Sequence, residues 1–174
     1  HDALPISYLF SRRDFHAALQ NTLTLTAVNV PVTLILTLAL ALLSGRRRRL
    51  SPVYETLFSL PMAVSMATAA LIFKVLLNPT VGYVNYALGL QIGWYESRAA
   101  AMPGILLLTV WMGIGFEYLR FLSAVRSVPD QLMEAATLDG ANGMQRLFRV
   151  QLPLMTPTIL YVSCNNLVLA MMTS

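Results

Sequence analysis

Residues 127–157 read SVPDQLMEAATLDGANGMQRLFRVQLPLMTP, a stretch polar enough to leave a membrane and patterned enough to fold. Ser127 is placed to cap a helix, with Pro129 in its first turn, where a missing N–H costs nothing, and Asp130 three residues after the cap. The helix is expected to run to about Leu138. Asp139-Gly140 and Asn142-Gly143 then supply residues that tolerate positive φ, so the chain turns before a second helix begins near Met144. Met144, Leu147, Phe148 and Gln151 share one face of that second helix, while Arg146 and Arg149 lie elsewhere. Pro153 is expected to end it. On physics alone this is a capped surface helix in a loop, although Ala135 and Ala136 leave a low surface beside Glu134. A partner can approach that backbone closely and still find a carboxylate.

Composition fixes the surroundings of this stretch. The 174 residues are 56% hydrophobic and 11% charged, with mean hydropathy +0.62. Soluble domains carry roughly 25% charged residues, so this chain has too few to cover a water-exposed surface. It reads as an all-α, polytopic membrane protein. The net charge of +4 is too thinly spread for a nucleic-acid face, and the single cysteine, Cys164, excludes an internal disulfide. The sequence opens on His1 and its last apolar run is still in progress at Ser174. It is therefore expected to be a fragment with about four spans, lacking at least one span on each side.

Outward from the quoted stretch, four apolar segments emerge. Residues 1–20 form a mixed lead-in. Residues 20–44 carry no charge and are long enough for a hydrocarbon core of roughly 30 Å. Thr26 and Asn29 polarise this span and Pro31 is a candidate kink, features read as helix packing before transport. Arg46 to Arg49 follow at once. A basic run directly after a span is first a topology anchor, which places it in the cytoplasm. A second span covers 52–77, with Pro61 inside it and Ser65, Ala67, Thr68, Ala69 and Ala70 forming a small-residue face. Residues 78–102 connect outside, where Tyr83, Tyr86, Trp94 and Tyr95 suit an interfacial aromatic belt or, less simply, a sugar-stacking platform. A third span covers 103–125, and 153–174 begins a fourth. With Arg46 to Arg49 inside, eight basic residues lie on the cytoplasmic side and four outside, and the stretch 126–152 falls in the cytoplasm.

No catalytic constellation is present. The single lysine, Lys74, lies at a span end and no phosphate-binding Gly-x-x-x-x-Gly-Lys-Ser/Thr exists, so the protein is not its own ATPase and no cofactor is expected. Glu117 is the unusual residue. An acid at membrane depth costs about 2.5–3.5 kcal/mol at a helix centre on insertion scales. It should face protein or water, either paired with Arg120 on the same helix face or lining a solute path.

Glu134-Ala135-Ala136, then Gly140, then Val150 and Leu152-Pro153 resemble the EAA loop of permease subunits of binding-protein-dependent ABC importers. The family pattern has Glu-Ala-Ala, three residues, Gly, nine residues, Ile, one residue, Leu-Pro, and only Val150 departs from it. Asp139, Ala141, Phe148 and Pro157 are similar to the carbohydrate-uptake branch, as, more weakly, is Asn78-Pro79 with Gly82 and Asn85. The resemblance implies a type I permease core with a second permease subunit, cytoplasmic ABC ATPase subunits and an extracytoplasmic solute-binding protein as partners, and lipid around it. It assigns Glu134 as the charged contact to the ATPase and Ala135 and Ala136 as the close-approach surface. Asp139 and Gly140 become the turn, and Leu152 and Pro153 the junction returning to the membrane. Two other classes stay open on the residues themselves. An ion-coupled secondary transporter would use Glu117 as its coupling acid, and a membrane scaffold would use only the packing residues. A permease for amino acids or another small solute is the nearest alternative within the importers.

Overall fold

The computed structural model describes residues 13–45, 51–89, 91–94, 96 and 98–173, and no strand occurs among them. Three helical stretches are long and apolar enough to cross a membrane: 15–44, 100–127 and 143–172. The first lies in α1 (Arg13–Ser44), which continues through Pro31 without interruption. The expected anchor Arg46 to Arg49 lies outside the described residues.

The second apolar segment is not one rod. Helix α2 (Ser51–Ser59) passes into a 3₁₀ turn, Leu60–Ala63, and α3 (Met66–Leu76) leaves at 102° to it. Pro61 opens the 3₁₀ turn. Val64 and Ser65 are extended, and the Ser65 hydroxyl then caps α3 by accepting from Thr68 N at 3.2 Å. A capped restart inside an apolar segment is a real helix terminus, because it satisfies backbone donors that the break sets free. Of the small residues expected to pack along this segment, Ala69 is fully buried, whereas Ser65, Ala67, Thr68 and Ala70 are exposed.

Asn78 closes α3 with an Asx turn to the amides of Thr80 and Val81. A short helix, α4 (Tyr83–Leu88), follows and ends at Gly89 with φ +62°. Asn85 is buried. Its amide donates to Ile92 O at 2.9 Å, and its carbonyl accepts from Trp94 Nε1 at 2.8 Å. Trp94 is thus an internal post of this loop and does not belong to an interfacial belt. Tyr83 and Tyr86 are exposed, and Tyr95 lies outside the described residues. Asn85→Ala leaves a buried indole N–H unpaired, at a cost of about 1–3 kcal/mol. The expected result is at least about tenfold faster proteolysis of the loop following Gly89, measured on the inserted protein.

Helix α5 (Arg98–Ser127) packs along α1. Asn29 meets Thr109 and Thr37 meets Glu117, each pair 80 residues apart, so the two helices run parallel. The intervening residues must therefore return to the side from which α1 started, and the bent α2–α3 pair lies on that return. The core forms where Ala41 of α1 and Phe121, Leu122 and Val125 of α5 meet Met155 and Val162 of the last span. Tyr118 is completely buried in it. Its hydroxyl donates to Ser44 Oγ at 2.8 Å and its ring stands edge-on to Phe58 of α2. Arg126 and Glu55 form an ion pair at the same end.

Candidate functional site

Helix α6 (Asp130–Leu138) follows α5 after a two-residue break. Ser127 does not cap it. That residue is still the last of α5, its hydroxyl donating back to Ala124 O at 2.8 Å, and the extended residue before α6 is Pro129. Pro129 disfavours helix at Val128, so the backbone leaves one helix and enters the next without a side-chain cap.

The turn after α6 is built by one glycine. Gly140 has φ +80°, and Ala141 N reaches back to Ala136 O at 2.9 Å while Gly140 N reaches Thr137 O at 3.1 Å, the closure pattern of a left-handed C-terminal cap. Asn142 and Gly143 have negative φ. Asn142 instead forms a capping box, its side chain accepting from Gln145 N and its own N–H donating to Gln145 Oε1, both at 2.9 Å. Helix α7 (Gly143–Arg146) is brief, and Arg146 donates to Thr137 Oγ1 at 2.6 Å, fastening the two arms of the helix-turn-helix.

Pro153 does not end this second helix. Residues 147–151 widen into a π turn, with Leu152 N bonded to Leu147 O, and α8 (Leu152–Thr173) continues directly. A proline ring clashes with the carbonyl four residues earlier and offers no N–H. The i→i+5 turn ahead of it gives the relief that lets a single helix run from 143 to 172.

These elements bring most of the expected coupling residues together. Glu134, Ala135, Asp139 and Gly140 are exposed on α6 and its turn. Ala136 is half-buried with Met133, on the side facing the protein's own spans. Leu152 and Pro153 stand apart from them, past the π turn at the start of α8. Of the apolar face foreseen on the second helix, Leu147 and Gln151 line a cleft against the ends of α1 and α5, whereas Met144 and Phe148 are exposed. Leu138 is 89% exposed, one turn beyond Glu134. Its spacing of four from Glu134 was the available signal.

Glu117 is placed elsewhere, inside the bundle. It is 5% exposed, and its Oε2 lies 3.3 Å from Thr37 Oγ1, whose single proton has a nearer acceptor in Thr33 O at 2.6 Å. The expected pairing with Arg120 is not formed: the Arg120 guanidinium lies over the Tyr161 ring, 5.6 Å from its centre. Asn29, Thr33 and Thr37 recur every four residues along α1 and supply a polar stripe. Asn29 donates to Thr109 at 2.6 Å and accepts from Thr33 at 2.8 Å. Gly113 lets α5 close onto Thr33, since a Cβ there would lie 2.7 Å from the threonine methyl. That four-residue repeat was readable in the sequence as one helix face.

Residues 32–174 match the family of binding-protein-dependent transport system inner membrane components. The chain belongs to that family. Among its relatives, the sn-glycerol-3-phosphate transport system permease protein UgpA of Yersinia pestis is 36% identical over 165 residues, covering 93% of this chain and 56% of the relative. The UgpA of Pectobacterium atrosepticum is 34% identical over 166 residues, with the same coverage. The chain thus spans about half the length of the curated relatives it matches. Among solved structures, a bacterial ABC transporter involved in the import of the acidic polysaccharide alginate superposes with TM-score 0.87 at 25% identity, over 96% of this chain and 60% of that one. A second, the bacterial alginate ABC transporter in complex with alginate pentasaccharide-bound periplasmic protein, gives 0.80 at 28% identity, over 88% and 55%. As a member of this inner membrane family, the protein is a multi-pass, all-helical membrane component.

Proposed function

We propose that this protein supplies part of the transmembrane path of an ATP-driven importer for a sugar or sugar derivative, and takes its motion from a separate ATPase through residues 126–152. The observation that carries this reading is the coincidence of the family match over 32–174 with a helix-turn-helix that presents Glu134, Ala135, Asp139 and Gly140 to the outside. Relatives named for sn-glycerol 3-phosphate and a structural relative named for alginate favour a carbohydrate-type solute over an amino acid. The partners of this reading are cytoplasmic ATPase subunits, a second permease and an external solute-binding protein. The last is supported by the alginate complex with its periplasmic protein.

In this reading 20–44, 52–77, 103–125 and 153–174 are the spans, and 126–152 lies in the cytoplasm, as the distribution of arginines favours. Glu134 is the charged contact and Ala135 the close-approach surface, with Ala136 turned partly toward the spans. Asp139 and Gly140 set the angle of α6. Leu152 and Pro153 carry its displacement into α8, because the π turn and helix 143–172 are continuous.

With Glu134→Cys in a Cys164→Ser background, a thiol crosslinker should join the full-length permease to its ATPase, with a yield that changes on adding ATP. No crosslink in an assembled, inserted complex would refute the coupling role. Glu117 is assigned to the solute path. Glu117→Gln keeps the size of the side chain and its polar contact with Thr37 and removes the acidic group, so uptake should fall severalfold with the amount of inserted protein unchanged. Unaltered uptake and unaltered solute-stimulated ATP hydrolysis would return Glu117 to a purely structural role.

A further inference from the structure

The bent α2–α3 segment follows one helix from end to end in spite of its 102° break. Glu55 pairs with Arg126, the Phe58 ring stands against Tyr118, and Met62 lies against Gly115. Beyond the break, Phe73 meets Trp111 with ring centres 5.6 Å apart, and Leu77 reaches Gly104. Each step forward along the segment is a step back along α5. The two therefore run antiparallel, with α5 as the common support on both sides of the break.

All but one of these contacts are packing. The exception is ionic, and it stands where α5 ends: Arg126 is four residues before Asp130, the first residue of α6. Glu55 is the sole charged residue of 51–73, and an acid in an apolar segment is costly and marks function by default. Stability is a poor account of that function. Both side chains are 30% exposed, and ion pairs in contact with water add little to folding. What the pair fixes is position. A charge-assisted hydrogen bond ties one point of α2 to one point of α5, where packing alone permits sliding.

We infer that Arg126 and Glu55 are positioning residues for transport, a clasp that makes the near end of the bent segment move with α5 when α6 is displaced; the inference rests on the importer reading above. Helix α6 is joined to the spans at both of its ends. One route runs through α7 and the π turn to α8, and the other through Val128 and Pro129 to α5. Val128 is buried in the same core as Phe121 and Val125, so this second junction is firmly seated. A displacement of α6 thus reaches the end of α5 within two residues, at the turn that carries Arg126. The Tyr118 hydroxyl, bonded to Ser44 Oγ, holds the end of α1 to the same part of α5. The clasp adds α2 to that group and stays closed while the group moves.

The test uses the full-length permease assembled with its partner subunits and already shown to take up sn-glycerol 3-phosphate or an alginate oligosaccharide when ATP is supplied. Glu55→Gln and Arg126→Gln should each lower uptake, and the stimulation of ATP hydrolysis by solute, at least about threefold. The amount of inserted protein and its unfolding midpoint should stay unchanged. The exchange Glu55→Arg with Arg126→Glu should recover most of both activities. Glu55→Cys with Arg126→Cys, in a Cys164→Ser background, should be impaired, recover when a short bis-methanethiosulfonate joins the two thiols, and fail again on reduction. Unaltered uptake in both glutamine variants overturns the inference. So does a crosslink that blocks uptake, because the pair must then open, or a loss of uptake that follows a lowered unfolding midpoint and is not recovered by the exchange. Absence of ATP-driven uptake in the unsubstituted complex is a different failure: it sinks the importer reading, and this inference with it.

Discussion

Gly140→Pro is expected to lower solute uptake at least tenfold while the permease inserts and assembles normally. The left-handed conformation at Gly140, φ +80°, is closed to proline, whose ring holds φ near −65°. The substitution also deletes the Gly140 N–H bond to Thr137 O and displaces the Ala141 bond to Ala136 O. An ordinary L-residue in this conformation costs roughly 1–2 kcal/mol; proline cannot adopt it at all, so the turn must be rebuilt. The damage stays local, because nothing would touch a Cβ at Gly140 and α6 is exposed along most of its length. What changes is the angle of α6 against α7, which the Arg146–Thr137 bond and the turn together maintain. ATP hydrolysis in the assembled complex should then no longer follow the presence of solute. Gly140→Asn is the control, since asparagine tolerates positive φ, and it should keep most of the uptake. Normal uptake by a correctly inserted Gly140→Pro permease would show that this turn transmits nothing.

The helices of this protein were legible because charge is expensive in a bilayer and apolar length is easily read. The spacing from Glu134 to Pro153 was legible through its resemblance to the EAA loop, and within it Gly140 has a backbone reason of its own, its positive φ. The differences arose where one residue had two uses. Pro153 signals a stop to any local reading, but the π turn ahead of it is a cooperative adjustment of five residues with no single-residue mark. Ser127 has the chemistry of a cap, yet its hydroxyl is spent on the helix it ends. Trp94 has the amphipathic ring of an interfacial residue, and only the fold brings Asn85 to its N–H. The 102° break left a trace in Pro61 and Ser65, but a proline inside an apolar segment equally permits a continuous helix, as Pro31 and Pro157 show.

That break rests on another glycine, and Gly115→Ala is expected to destabilise the folded permease by about 1–3 kcal/mol, the range for overpacking. A Cβ at Gly115 would stand 2.5 Å from Met62 N and 3.2 Å from Met62 Cα, backbone atoms of the 3₁₀ turn that have no rotamer to escape into. The 3₁₀ turn is also fixed at both ends, by Pro61 before the contact and by the Ser65 cap after it. Helix α5 must therefore move away from the break, and Gly113, two residues earlier, already holds the same helix against Thr33 on α1. One added methyl thus sets two close contacts of α5 against each other. Gly143→Ala is the matched comparison: it adds the same methyl where nothing lies within 4 Å and φ is negative, at the start of α7. Alanine is the better helix former there by up to about 1 kcal/mol. In detergent or nanodiscs, Gly115→Ala should lower the unfolding midpoint by several degrees while Gly143→Ala leaves it unchanged or slightly raised. If the two variants unfold together, the break is not seated on α5, and the bent segment owes its angle to its own sequence alone.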